Sequence, residues 1–220
     1  MKLFKILAIA ALAMVSSASA QAGAITGVVL SNLGSNGTTG SSGTSNDVIP
    51  PKAAAASFVV GASNFTLDKI NIYAFGDSSS GVTGTLGIFA SASGNPSSID
   101  TAFALHTATQ TMTGNDHYTF DFANPELTAG QTYWVVLRTS GTSSSWYITG
   151  DAPTTMGAGG ITYGTSKISN DSGSTWNSSL GAHFIAIAGS PVNNNPVPEP
   201  ALTSLLCLGG VALIRRRLKK

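Results

Sequence analysis

Leu127-Thr128-Ala129-Gly130-Gln131-Thr132-Tyr133-Trp134-Val135-Val136-Leu137 is the stretch whose reading decides the fold. A leucine and a tight Ala-Gly turn lead into an aromatic-rich run. From Tyr133 onward the side chains read at period two: Tyr133, Val135 and Leu137 on one side, Trp134, Val136 and Arg138 on the other. A strand that is apolar on both faces belongs in the middle of a sheet, covered from both sides.

The same period recurs outward from this run. Ile70, Ile72 and Ala74 alternate with Asn71, Tyr73 and Phe75. Leu86, Ile88 and Ala90 alternate with Gly87 and Phe89, and Tyr118, Phe120 and Phe122 with Thr119 and Asp121. Residues 57–62, 101–107, 146–149 and 183–188 are expected to be further strands. Between them lie Gly76-Asp77-Ser78, Gly94-Asn95-Pro96, Thr113-Gly114-Asn115 and Ser140-Gly141, all turn chemistry. No segment holds a stripe at period 3.6. The alanines at 53–56 come nearest to a helix former, and they run into Phe58-Val59-Val60. Short strands broken by turns predict an all-β, two-sheet antiparallel sandwich, jelly-roll-like, over residues 21–189. The Gly/Ser/Thr/Asn tract at 31–46 is expected to be a flexible loop, and 190–197 a linker.

The two ends read differently from this body. Lys2 and Lys5 flank an apolar start, and Ala18-Ser19-Ala20 has the small residues that a signal peptidase requires. Residues 1–20 are therefore expected to be a secretory signal peptide, cut after Ala20. At the other end Pro198-Glu199-Pro200 precedes a predominantly apolar run of 14 residues, Ala201 to Ile214, and then Arg215-Arg216-Arg217-Leu218-Lys219-Lys220. As a helix the run would span roughly 21 Å, shorter than a hydrocarbon core of about 30 Å. Its flanks compensate: Arg215 can snorkel, and the basic cluster would hold the C-terminus in the cytoplasm as a membrane stop. The expectation is a single transmembrane helix within residues 198–220.

This tail resembles the PEP-CTERM sorting signal of Gram-negative bacteria, matching it at Val197-Pro198-Glu199-Pro200, in the apolar run and in the arginine triplet. The resemblance covers about the last tenth of the chain. It implies processing by an exosortase near the Pro-Glu-Pro, passage through the inner membrane, and association with exopolysaccharide and biofilm at the cell surface or in the matrix. With the Phe-Val-Val strand and the late Thr175-Trp176, the body resembles choice-of-anchor R type domains over roughly residues 47–188. That likeness implies a secreted β domain and assigns no chemistry.

Composition narrows the function classes. The lone cysteine, Cys207, lies in the tail, so the exported body has no disulfide. Between residues 21 and 198 there are four basic residues against nine acidic ones, a net charge of −5. No basic patch is present, which argues against a nucleic-acid partner. Ser, Thr, Asn and Gly supply the polar surface, suited to neutral hydrogen bonding.

The sharpest internal motif is Ser169-Asn170-Asp171-Ser172-Gly173-Ser174-Thr175-Trp176, which resembles the Asp-box hairpin of sialidases and related β-propellers. A single copy in a chain too short for a propeller reads as a structural turn. In it Asp171 accepts N–H bonds, Gly173 takes a positive φ and Trp176 drops into the core. No Gly-x-Ser-x-Gly or Ser-x-x-Lys is present, and Asp116 and Asp121 fall on opposite faces of one strand. His106, His117 and His183 lack metal-ligand spacing, so neither a zinc site nor a cofactor is expected; calcium held by turn carboxylates and carbonyls stays open, with no residues to name for it. Trp134, Trp146, Trp176 and Tyr147 are the aromatics able to form a sugar-stacking platform, with core packing as the commoner fate. Trp146 and Tyr147, after three serines, are the candidate glycan contacts. The expected function is a non-catalytic exported surface or matrix protein, with a carbohydrate-binding module as the alternative and a secreted hydrolase behind it.

Overall fold

The structure is a computed structural model, and it describes residues 27–33, 44–100, 104–155 and 160–192. Ala18 and Ala20, the sorting motif Pro198, Glu199 and Pro200, and the membrane stop Arg215, Arg216 and Arg217 all lie outside the described residues.

The described residues contain strands and turns, without a helix. In chain order the strands are β1 (Val28–Ser31), β2 (Ser45–Asp47), β3 (Ala53–Val59), β4 (Phe65–Gly76), β5 (Val82–Ala92) and β6 (Asn95–Pro96). They continue with β7 (His106–Met112), β8 (Gly114–Asp121), β9 (Glu126–Leu127), β10 (Thr132–Thr139) and β11 (Ser144–Thr149). The last five are β12 (Thr154–Thr155), β13 (Thr162–Ser169), β14 (Asn177–Ser178), β15 (Ala182–His183) and β16 (Ile185–Pro191).

They form two sheets. The larger runs β12-β1-β16-β4-β11-β15, with β2 against β11 and with β8 and β9 against β4. The smaller runs β14-β13-β3-β10-β5-β6, with β7 against β5. The pairings within each sheet are antiparallel, as in the central pair β10–β5, where Val135 faces Ile88. The sheets face each other across one apolar layer. Ile70, Ile72, Phe120, Trp146 and Ile187 enter it from the larger sheet, and Phe58, Leu86, Ile88, Val135 and Leu137 from the smaller.

Inside β4 the alternation changes phase. Phe65 and Leu67 point inward, and so do Ile70, Ile72 and Ala74. The register with β16 shifts between Ala188 and Gly189, which leaves Asp68 as the extra residue of a bulge. One extra residue resets which side chains face the core.

Trp134 and Val136 point away from the shared layer and are still buried. They pack with Ala53, Ala55, Phe89 and Ile99 in a second apolar cluster, against which Trp176 and Ala104 rest. Ile99, between β5 and β7, lies over this outer face, held by the Arg138 guanidinium donating to its carbonyl at 2.8 Å. The Lys167 ammonium donates to the Gly94 carbonyl at 2.9 Å and sits 5.7 Å above the Trp134 ring. A central strand covered from both sides follows, as the double-faced run implies.

Several boundaries depart from the sequence reading. The alanines at 53–56 are strand throughout, because β3 is sandwiched between β10 and β13 and small side chains suit its close neighbours. Of the strand expected at 101–107, residues 101–103 lie outside the described residues, and the described strand begins at His106 and runs on to Met112 along the β5 edge. The ends of the 31–46 tract are strand, in β1 and β2. β13 was missed: Thr162-Tyr163-Gly164-Thr165-Ser166-Lys167 has no apolar alternation to read.

Candidate functional site

The turn after β13 is built by Asp171. Its Oδ1 accepts the Thr175 N–H at 2.9 Å and the Ser169 hydroxyl at 2.9 Å, and its Oδ2 accepts the Thr175 hydroxyl at 2.7 Å. These bonds, the Thr175 N–H first, hold the carboxyl below its ordinary range. Ser172 and Gly173 both take positive φ, 57° and 81°. A Cβ on Gly173 would stand 2.7 Å from Ile99 Cγ2, so the turn and the outer cluster are packed to each other. Trp176 does not enter the main core as the sequence suggested. It lies half-buried on the second cluster, with its indole nitrogen buried and without a hydrogen-bond partner. Asp171 thus closes the turn through Ser169 and Thr175, while Gly173 and Trp176 pack it against Ile99 and the second cluster.

A second constellation escaped the sequence reading. His183 is fully buried, its ring stacked on Trp146 with centroids 4.5 Å apart. The Asn46 amide nitrogen lies 3.2 Å from Nε2 and can only donate, so Nε2 is the acceptor. Nδ1 therefore carries the proton and donates to Ser166 Oγ at 2.9 Å. Ser166 Oγ also accepts the His183 backbone N–H at 3.0 Å, which leaves its own proton for the Tyr163 oxygen at 2.7 Å. A serine 2.9 Å from a histidine suggests a nucleophile and its base, yet the proton assignments run the wrong way. The histidine donates to the serine instead of accepting from it, and neither group reaches solvent. Burial pushes the His183 pKa down to about 3, so the ring is neutral. The network ties β2, β13 and β15 together, and no spacing rule links Asn46, Ser166 and His183 in the sequence.

The candidate glycan contacts part company. Trp146 is 0 % exposed, and its indole N–H donates to the Phe184 carbonyl at 2.8 Å. It is a core residue and cannot present a face to a sugar, which corrects the expectation. The serines before it do not mark exposure, because Ser144 and Ser145 are themselves buried where β11 pairs with β2 and β4. Tyr147, one residue on, points to the opposite side and is half-buried on the outer face of the larger sheet.

There Tyr147 joins a stack. Tyr73 on β4 lies between Tyr147, with centroids 4.9 Å apart, and His117 on β8, 4.8 Å away, and Phe184 meets it edge-on at 6.0 Å. The register explains the grouping, since Tyr73 and His117 are direct cross-strand partners. The Tyr147 hydroxyl donates to Asn115 Oδ1 at 2.8 Å. Burial, then the neighbouring Tyr147 and Asp116, raise the Tyr73 pKa, and burial lowers that of His117. The face is therefore uncharged at its centre. His117 Nδ1 and Thr119 Oγ1 are buried on it without hydrogen-bond partners. Phe184 also lines an open cleft of about 360 Å³ beside Ile148 and Leu180, and Leu180 is 90 % exposed. Aromatic edges, tyrosine hydroxyls and an amide converge here, a set able to take neutral hydroxylated ligands.

The remaining sequence candidates stay apart. Asp116 accepts the adjacent His117 N–H at 2.7 Å, and Asp121 pairs with Lys69 at 3.2 Å. Among the described residues no three His, Cys, Asp or Glu side chains gather as metal ligands. No protein-family model matches the chain, and no curated protein does either.

Proposed function

We propose that the chain is a non-catalytic exported protein, sorted by an exosortase to the cell surface or extracellular matrix of a Gram-negative bacterium, where it associates with exopolysaccharide. One observation carries this reading: a secretory start ending at Ala18-Ser19-Ala20 is combined with a tail of Pro198-Glu199-Pro200, a predominantly apolar run of 14 residues and Arg215-Arg216-Arg217. Signal peptidase and exosortase are the processing partners, and the inner membrane is a way-station. The cysteine-free body with a charge of −5 suits life outside the cell without disulfides. We read its strand order as a jelly roll. The runs β1-β16-β4-β8 and β3-β10-β5-β7 interleave along the chain as two Greek keys do, with β11 and β13 as additions.

The test is expression of the full chain in an exosortase-positive host beside a variant with Pro198, Glu199 and Pro200 changed to alanine. Mass spectrometry of the wild-type product is expected to lack the apolar tail, and that of the variant to retain it in the membrane fraction. Identical products from both would remove the sorting reading.

The Tyr73–Tyr147–His117 stack beside Asn115 favours a second reading, a carbohydrate-binding module. A glycan array with residues 21–192 is expected to show binding that Tyr147→Ala abolishes. An array that is blank for the wild type removes this reading and leaves the sorting proposal untouched.

A further inference from the structure

β7 is an edge strand. Among the described residues it pairs only with β5, in an unbroken register from Val82–Met112 to Ile88–His106. The direction of its free groups follows from the other side of β5. The Ser140 N–H donates to the Thr83 carbonyl at 3.0 Å, so Thr83 turns its backbone groups away from β7. In an antiparallel ladder bonded and non-bonded pairs alternate. Thr83–Thr111, Thr85–Thr109 and Gly87–Thr107 are then the non-bonded pairs. The N–H and C=O groups of Thr107, Thr109 and Thr111 point out from the sheet edge.

Such an edge is a template for another strand unless something guards it. β7 reads His106-Thr107-Ala108-Thr109-Gln110-Thr111-Met112, with no acidic residue, lysine, arginine, proline or bulge. β8, the edge strand of the larger sheet, carries Asp116 and Asp121, while β12 and β14 are two residues long. Among the described edges, β7 alone is both long and uncharged. A large hydrophobic side chain, Leu105, is 49 % exposed at its entrance.

We infer that β7 is a self-association edge, at which two copies of this chain join their smaller sheets through antiparallel β7–β7 pairing about Thr109. The sequence is self-complementary about that residue. Thr109 falls opposite Thr109 of the second copy, and Thr107 opposite Thr111. All three are outward-bonding positions, so about six inter-chain backbone hydrogen bonds form. On the outer face threonine meets threonine, a favourable cross-strand pair, and no like charges are opposed. Leu105 of each copy is brought beside Thr113 of the other, which shields it. This inference stands apart from the sorting proposal and from glycan binding, because it uses neither the tail nor the aromatic face.

The full chain in detergent micelles, with Cys207→Ser to remove the native thiol, supplies the test. A bonded antiparallel pair sets its Cα atoms about 5.5 Å apart, inside the disulfide range of about 4.4–6.8 Å. Thr109→Cys is expected to oxidise to a disulfide-linked dimer under copper–phenanthroline. Thr85→Cys, one strand inward on the same face, is expected to stay monomeric. Thr107→Cys alone should not link, whereas a mixture of Thr107→Cys and Thr111→Cys chains should. In the otherwise native chain Thr109→Lys is expected to shift the mass from dimer to monomer while the far-ultraviolet β spectrum is kept. A Thr109→Cys chain that links no better than Thr85→Cys, or a dimer that survives Thr109→Lys, overturns the inference.

Discussion

His183→Gln tests the sealed network of Asn46, Ser166 and His183. In the folded chain the neutral imidazole is enclosed, and its proton affinity falls to a pKa of about 3. In the unfolded chain the same side chain has a pKa near 6.5. The unfolded state therefore binds the extra proton first as pH falls. Stability is at its full value above about pH 6.5 and declines by roughly 1.4 kcal/mol per unit below it, until the folded ring also protonates. At about pH 5 the loss from this one residue is about 2 kcal/mol, a sizeable share of a typical 5–15 kcal/mol. Glutamine can still accept from Asn46 and donate to Ser166, and it does not titrate. The assay is urea unfolding of residues 21–192, followed by tryptophan fluorescence at about pH 7.5 and about pH 5, for wild type and variant. Other acid-sensitive groups act equally in both, so the difference isolates His183. The wild type is expected to lose about 2 kcal/mol more than the variant. Equal losses in the two would falsify the buried neutral histidine.

Asp171→Ala removes the acceptor of the Thr175 N–H, the Thr175 hydroxyl and the Ser169 hydroxyl, and a lower melting temperature is expected by calorimetry. The Asp171 pKa is depressed in the folded chain. Its stabilisation is complete above the ordinary value of 3.8 and fades as pH falls below it, so wild type and variant should converge in strong acid. Gly173→Ala should cost about 1–3 kcal/mol in urea unfolding, because φ of 81° is strained for alanine and the new Cβ meets Ile99. Trp146→Ala should cost about 3–5 kcal/mol by the same assay, whereas Tyr147→Ala, which removes a half-buried ring stacked on Tyr73, should cost only about 1 kcal/mol.

Strands whose alternation is apolar on one side at least were legible: β4, β5, β8, β10 and β16 all follow it. β10 was placed correctly in a sheet interior because Trp134 and Val136 mirror Tyr133 and Val135 in hydrophobicity. β13 was not legible, since its neighbours bury it through backbone pairing and through Ser166 and Ser169, not through large apolar side chains. The phase change at Asp68 leaves no mark in composition. At the candidate site the hydroxyl tract before Trp146 misled. Serines usually signal solvent, but here Ser144 shares a 2.5 Å hydrogen bond with Thr139 inside the fold. The Tyr73–His117 contact depends on cross-strand register, and a single sequence supplies each strand without saying which residues stand opposite.

The outer cluster over Trp134 and Val136 gives the molecule a hierarchy of opening. β10 has β3 and β5 as flanking ladders and apolar material above and below, so its amides are expected to exchange with solvent only through opening of the whole body. Releasing the cover at Ile99 and Trp176 would strip one side of that strand while leaving its ladders intact. A partly opened form would then show an intact sheet with an indole laid bare, and Trp134 would report it first.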